Sequence, residues 1–166
     1  ILGQFSNPAN PEAHVLTTAK EIWEDTDGQV DILVATVGTG GTLCGTARGL
    51  KKHNPQLLSI AVEPQESPLL SGGTASPHGI QGIGANFIPE NYDPIVVDRI
   101  MQVSTEQAMQ TGRELSRHEG LITGISSGAA VHAALTYALT PEAKGKAIVV
   151  VLPDTGERYL STELYG

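Results

Sequence analysis

Asp31-Ile32-Leu33-Val34-Ala35-Thr36-Val37-Gly38-Thr39-Gly40-Gly41-Thr42 is a near-continuous apolar run that breaks into glycine and threonine. An apolar strand without polar alternation is the mark of a parallel sheet covered on both faces. The glycines fit a tight strand-to-helix turn. Thr42 to His53 then reads as a helix whose basic end (Arg48, Lys51, Lys52, His53) complements the helix dipole, and Asn54-Pro55 stops it. Leu57 to Val62 gives a second apolar strand closed by Glu63-Pro64, and Ala147 to Leu152 gives a third. Strands alternating with helices predict an α/β fold, a mostly parallel sheet with helices on both faces.

Working outward, Asn10-Pro11 resembles an N-cap with proline at the first helical position, and a helix is predicted from Pro11 to about Glu24. Its apolar positions include Ala13, Leu16, Ile22 and Trp23, with Trp23 expected to anchor it. The opening Ile1-Leu2-Gly3-Gln4-Phe5 reads as a strand end inside a longer chain, with no basic leader region. Residues 65–94, rich in Ser, Gly and Pro, read as mostly loop, of a length that is usually functional or disordered. Ile95 to Val103 holds one or two short strands. Ser104-Thr105-Glu106-Gln107 is a capping box that starts a helix to Glu119, with Gly120 past its end. Ser126 or Ser127 is expected to cap a further helix reaching Leu139.

Composition excludes several function classes. With 166 residues the chain suits one domain, and its net charge of −8 opposes nucleic-acid binding, which needs a basic face. No apolar run approaches the ~18 residues of a membrane span. One cysteine, Cys44, excludes an internal disulfide and suits a reducing compartment; it reads as a packed residue rather than a nucleophile. The five histidines share no metal-ligand spacing, so no metal site is expected.

Chemistry concentrates at the glycine turn. Amides and hydroxyls of Gly38, Thr39, Gly40, Gly41 and Thr42 would lie at a helix N-terminus beyond a strand's carboxyl end, where anions, above all phosphate, are held. A dinucleotide fingerprint would need a third glycine where Leu43 stands, although Glu63 lies where a ribose-binding acid is expected. No Walker triplet exists, and a terminal monophosphate suits the short loop better. Gly124-Ile125-Ser126-Ser127-Gly128-Ala129-Ala130 offers a hydroxyl partner for a heterocyclic nitrogen, although a helix cap alone would also account for its serines. Gln81 to Pro89 is small-residue-rich and suits a mobile wall, and Pro153 to Tyr159 follows the last strand's carboxyl end.

Taken in order, Gln4-Phe5-Ser6-Asn7-Pro8, Gly38 to Thr42, Glu63-Pro64, Gln81 to Pro89, Gly124 to Ala130 and Gly156-Glu157-Arg158-Tyr159-Leu160-Ser161-Thr162 resemble the cysteine synthase family. These are pyridoxal-phosphate enzymes of fold type II, related to cystathionine β-synthase. The resemblance covers essentially the whole chain, but only the second half of a family member.

It implies a single α/β domain over 1–166, with pyridoxal 5′-phosphate as cofactor. It further implies that Gly38, Thr39, Gly40, Gly41 and Thr42 form the phosphate cup and that Ser126, with Ser127 second to it, meets the pyridine nitrogen. Gln4 would help hold the substrate carboxylate, and Gly82 belongs to the segment that closes over bound substrate. Asn86 stands where the family often has glycine, which would stiffen that wall. The Schiff-base lysine and a Thr-Ser-Gly-Asn-Thr-Gly loop belong to the family's first half and are not found here. No catalytic residue is therefore assigned within this chain.

The implied reaction makes L-cysteine from O-acetylserine and sulfide. A cytoplasmic homodimer and docking of a serine acetyltransferase C-terminal tail are implied with it. The alternatives are a non-catalytic dinucleotide-binding module, a cystathionine β-synthase-like fragment, and an inactive cofactor-binding protein.

Overall fold

A computed structural model describes residues 3–166; the strand-end reading of Ile1 and Leu2 lies outside the described residues. Four strands form one sheet in the order β3-β2-β1-β4: β1 (Ile32–Thr36), β2 (Leu58–Pro64), β3 (Arg99–Val103) and β4 (Ile148–Val150). Every pairing is parallel, with Val34 opposite Ile60 on one side and Val150 on the other, so the sheet is wholly rather than mostly parallel.

Period-two alternation divides the strand side chains between two cores. Ile32, Val34, Ile60 and Val62 face α5 (Ile125–Ala138), with its Ala129 and Ala133, and α4 (Thr105–Glu114), with its Ala108. Leu33, Ala35 and Ala61 face α3 (Gly41–Lys51), through Leu43, Ala47 and Leu50. Both faces are therefore covered, which is what the unbroken apolar run of β1 requires. Among the described residues no helix is long and apolar enough to cross a membrane.

The predicted helix Pro11 to Glu24 is two helices, α1 (Ala9–Leu16) and α2 (Thr18–Asp25). They break at Thr17, which departs from helical geometry at φ −116 and ψ −76 while its hydroxyl, at 2.8 Å, and its amide, at 2.9 Å, both donate to the Ala13 carbonyl. Asn10 is not the cap. The helix starts earlier, and Asn7 Oδ1 accepts from the Ala9 amide at 3.0 Å. Ser126 and Ser127 are likewise not caps: Gly124, extended at φ −79 and ψ 175, precedes α5, and both serines sit inside its first turn. The capping box at Ser104 and Gln107 forms as expected, but the helix widens into a π-helical turn at Leu115–Glu119 before Gly120 ends it at φ 69. Trp23 packs into the α3-side core and stacks on His53 at 4.8 Å.

α1 and α2 lie almost backbone-to-backbone on α3, because Gly45 and Gly49 fall four apart on the facing side. A Cβ on Gly45 would run into the Pro11 carbonyl oxygen and come within 2.8 Å of His14 Cβ. Gly45→Ala is therefore expected to lose about 2 kcal/mol, as overpacking does where neither neighbour can yield. Urea unfolding of the two chains measures it, and equal midpoints would contradict this contact.

Candidate functional site

β1 and β4 end on the same side of the sheet, and a cavity of about 300 Å³ opens beyond them. That is the side on which ligands bind in open α/β sheets. Gly38, Thr39 and Thr42 from the β1–α3 turn line it, with Gly82 and Ser126 opposite. Five of the expected site residues therefore share one cavity. Gly40 and Gly41 do not line it but shape the loop from behind.

Gly40 makes the turn at φ 84, with the Asn91–Tyr92 backbone directly behind it. Gly38 is pressed against the Gly82 carbonyl, which leaves no room for a Cβ and sets the width between turn and wall. Gly82 itself, at φ 89, has nothing within 4 Å of where a Cβ would lie. Asn86 adopts φ 61, a conformation glycine takes without steric cost.

Two helices, α3 and α5, begin at the cavity, and the positive end of each dipole favours a bound anion. Ser126 is only 3 % exposed and lines the cavity from the first turn of α5. Ser127 does not line it; its hydroxyl donates to the wall residue Asp154, at Oδ1, at 3.1 Å. Tyr159 donates to the other oxygen of the same carboxylate. Burial, then the Asp154 hydrogen bond and charge, push Tyr159 up to about 12, so its phenol stays a protonated donor. Asp154 is a wall residue that sequence reading left unassigned within Pro153 to Tyr159.

Glu63 does not reach a ribose position. It is 2 % exposed and accepts from the Leu70 amide at 2.7 Å, the Ser71 amide at 3.1 Å and the Ser71 hydroxyl. Both of its oxygens are engaged by Leu70 and Ser71 and the side chain is buried, so the dinucleotide reading loses its acid. Cys44 is buried; the Asp93 amide donates to its sulfur at 3.3 Å, and burial raises its thiol pKa. It is a packed residue, as expected. Among the described residues no cluster of three or more His, Cys, Asp or Glu could hold a metal.

Gln4 is not among the residues lining the cavity. Its carbonyl accepts from Asn10 Nδ2 at 2.7 Å and from Asn91 Nδ2 at 2.8 Å, and Asn10 Nδ2 also donates to Thr39 Oγ1 at 2.9 Å. Asn91 did not stand out in the sequence, and Asn10 reads there only as a helix cap. Thr42 has a second-layer neighbour too: His14 Nε2 lies 3.3 Å from its hydroxyl and His14 Nδ1 lies 2.9 Å from Thr18 Oγ1.

Burial lowers the His14 pKa from its ordinary 6.5, because a charged ring is poorly solvated there. The unfolded chain then binds this proton more readily than the folded one. The resulting stability is full above pH 6.5 and is lost as pH falls through the range below it. An NMR titration of His14 should give a midpoint under 6.5, and a midpoint above it would reverse the sign.

The site fits a phosphate monoester on a small ring. A glycine-rich turn, two threonine hydroxyls and a helix N-terminus form its anion end, and the Ser126 hydroxyl faces the same space. The volume falls at the lower end of the range for small-molecule sites. Comparison with known proteins agrees. The pyridoxal-phosphate dependent enzyme family matches residues 1–154. Cysteine synthase A of Escherichia coli (strain K12) is 53 % identical over 173 residues, covering 99 % of this chain and 54 % of its own length. Cysteine synthase of Buchnera aphidicola subsp. Acyrthosiphon pisum is 51 % identical, with 99 % of this chain and 55 % of the relative covered. Among solved structures, cysteine synthase from Entamoeba histolytica superposes with a TM-score of 0.96 at 52 % identity, covering 98 % of this chain and 48 % of that one. The chain spans about half the length of the curated relatives it matches. On a family match over residues 1–154, a matching fold and identity above one half across nearly its whole length, the chain belongs to the pyridoxal-phosphate dependent enzyme family.

Proposed function

We propose that residues 1–166 are the phosphate-binding half, one α/β domain, of a cysteine synthase that makes L-cysteine from O-acetylserine and sulfide. The observation that carries this reading is that the Gly38 to Thr42 turn and Ser126 meet on one cavity beyond the strand ends. Pyridoxal phosphate, when bound, supplies an electron-accepting ring that stabilises negative charge at the substrate carbon beside the amine. Gly38, Thr39 and Thr42 would hold its phosphate, with Gly40 and Gly41 setting the turn. Ser126 would meet the ring nitrogen with a hydroxyl, which orients the ring without adding negative charge. A ring left neutral there is a shallower electron sink, which favours prompt loss of a β-leaving group.

Gln4 would approach the substrate carboxylate, and Gly82 would form the facing wall. The lysine that binds the cofactor covalently belongs, in this reading, to a first half supplied elsewhere. A cytoplasmic homodimer and capture of a serine acetyltransferase tail are parts of the same proposal, supported by likeness to cysteine synthases alone.

Ser126 gives the test, in enzyme assembled with its first half. Ser126→Ala is expected to keep the cofactor while turnover falls about tenfold, the effect of one lost hydrogen bond at the upper end of its usual range. Ser126→Asp is expected to hold the ring nitrogen protonated and shift its absorption to longer wavelength. Parent-like rates and spectra in both variants would remove Ser126 from the site. Purification with bound NAD instead would favour the dinucleotide reading.

A further inference from the structure

One side chain joins the phosphate turn to the segment that carries Gln4. We infer that Asn10 is a positioning residue that couples filling of the Gly38 to Thr42 cup to the Gln4 turn, an inference that rests on the reading of that cup as a phosphate site. Asn10 Nδ2 donates to the Gln4 carbonyl at 2.7 Å and to Thr39 Oγ1 at 2.9 Å. A carbonyl can only accept, so the amide nitrogen has to face it, and the orientation of the Asn10 head is fixed by its partners. The other half of the amide lies flat on Gly41, where any Cβ would collide with Oδ1 and come within 2.8 Å of Nδ2. Glycine at position 41 is therefore the slot for this asparagine.

Thr39 Oγ1 accepts a second bond, from the Gly41 amide at 3.2 Å. With both lone pairs engaged, its own proton is left to donate, and Thr39 lines the cavity. An anion with only acceptor oxygens suits that proton. Once it is taken, the hydroxyl is polarised, and its oxygen becomes a stronger acceptor for Asn10. The Gln4 carbonyl is then held between Asn10 and Asn91, whose own amide donates to the Phe5 carbonyl at 3.1 Å. An empty cup leaves the Thr39 proton without that acceptor, so the Asn10–Thr39 bond is weaker and the Gln4 turn less well held. The coupling is reciprocal: filling the cup steadies the Gln4 turn, and a held Gln4 turn favours filling of the cup.

The test is a nitrogen-15 NMR titration of the 166-residue chain with pyridoxal 5′-phosphate. In the parent, the Asn10 side-chain amide and the Phe5 and Ser6 backbone amides should shift with those of Gly38 to Thr42, with one common midpoint. In Asn10→Asp, which keeps the shape but removes both donors, the cup amides should respond at about tenfold higher ligand. At saturation the Phe5 and Ser6 amides should no longer move. Thr39→Ser, which keeps the acceptor oxygen, should preserve the coupled response, and Thr39→Val should abolish it; this pair stands if Asn10→Asp does not fold. An unmoved Asn10 side chain over a filled parent cup would overturn the coupling. So would full Phe5 and Ser6 shifts in Asn10→Asp. Unmoved Gly38 to Thr42 amides in the parent would instead overturn the phosphate reading, and the coupling with it.

Discussion

Gly40→Val is expected to weaken the cup's hold on pyridoxal 5′-phosphate at least a hundredfold and to destabilise the chain by about 3 kcal/mol. Gly40 sits at φ 84, where a β-branched side chain is an outlier. Space is against it as well. Its Cβ would lie 2.8 Å from the Tyr92 nitrogen and 2.9 Å from the Tyr92 Cα, backbone atoms that cannot rotate away. The turn would have to shift toward the cavity, into the volume the phosphate needs. Gly82→Ala is the matched control. It shares a positive φ but has open space around the new methyl, so only the conformational cost of about 1 kcal/mol should appear. Calorimetric titration and thermal melts of the two variants measure both effects. Equal behaviour would show that crowding against Tyr92 is unimportant.

Incubating this chain with pyridoxal 5′-phosphate, O-acetylserine and sulfide is expected to yield no cysteine. The proposed chemistry needs an amine placed at the cofactor's aldehyde and then reused as a base. No lysine lines the cavity. Lys51 is paired to Asp98 at 2.6 Å, far along α3 from the cup, and Lys52 follows it. Lys146 reaches Asp31 at 3.4 Å, at the start of β1 and so at the opposite end of the sheet, with Lys144 two residues before it. Lys20 pairs with Glu24 on the exposed side of α2. Borohydride reduction followed by peptide mapping provides the check. Steady turnover, or one lysine of this chain labelled stoichiometrically, would refute the assignment of the amine to another half.

The buried strands and the glycine turn were legible because their signals are local. An unbroken apolar run and a glycine cluster each carry their physics within ten residues. What was not legible depends on partners distant in sequence. Thr17 breaks a helix whose apolar pattern runs straight through it. Asn10 looks like a cap because asparagine before proline usually is one, yet its partners are Gln4 and, twenty-nine positions on, Thr39. Glu63 sits where a ribose acid would, and only the loop folded back onto it shows that its oxygens are occupied. Gly45 and Gly49 lie inside a helix, and nothing in that stretch of sequence announces that two further helices rest on them. Of the expected site, the residues whose backbone makes the turn were readable. Asn91 and His14 act through other residues and carry no motif.

The sheet order also bears on how the chain is made. Among the described residues β4 pairs only with β1, and Ile32 meets Ile148 across more than a hundred intervening residues. During synthesis β1 must therefore wait, with one edge unpaired, until nearly nine-tenths of this sequence has emerged. Its neighbour β2 arrives early, so the waiting species is a partial sheet with the apolar β1 strand at its rim. Such a rim is a template for pairing with another chain. Contacts this distant in sequence close slowly. Premature termination before Ile148 would make that transient edge permanent, and nascent chains of that length are the ones a holdase chaperone would need to shield.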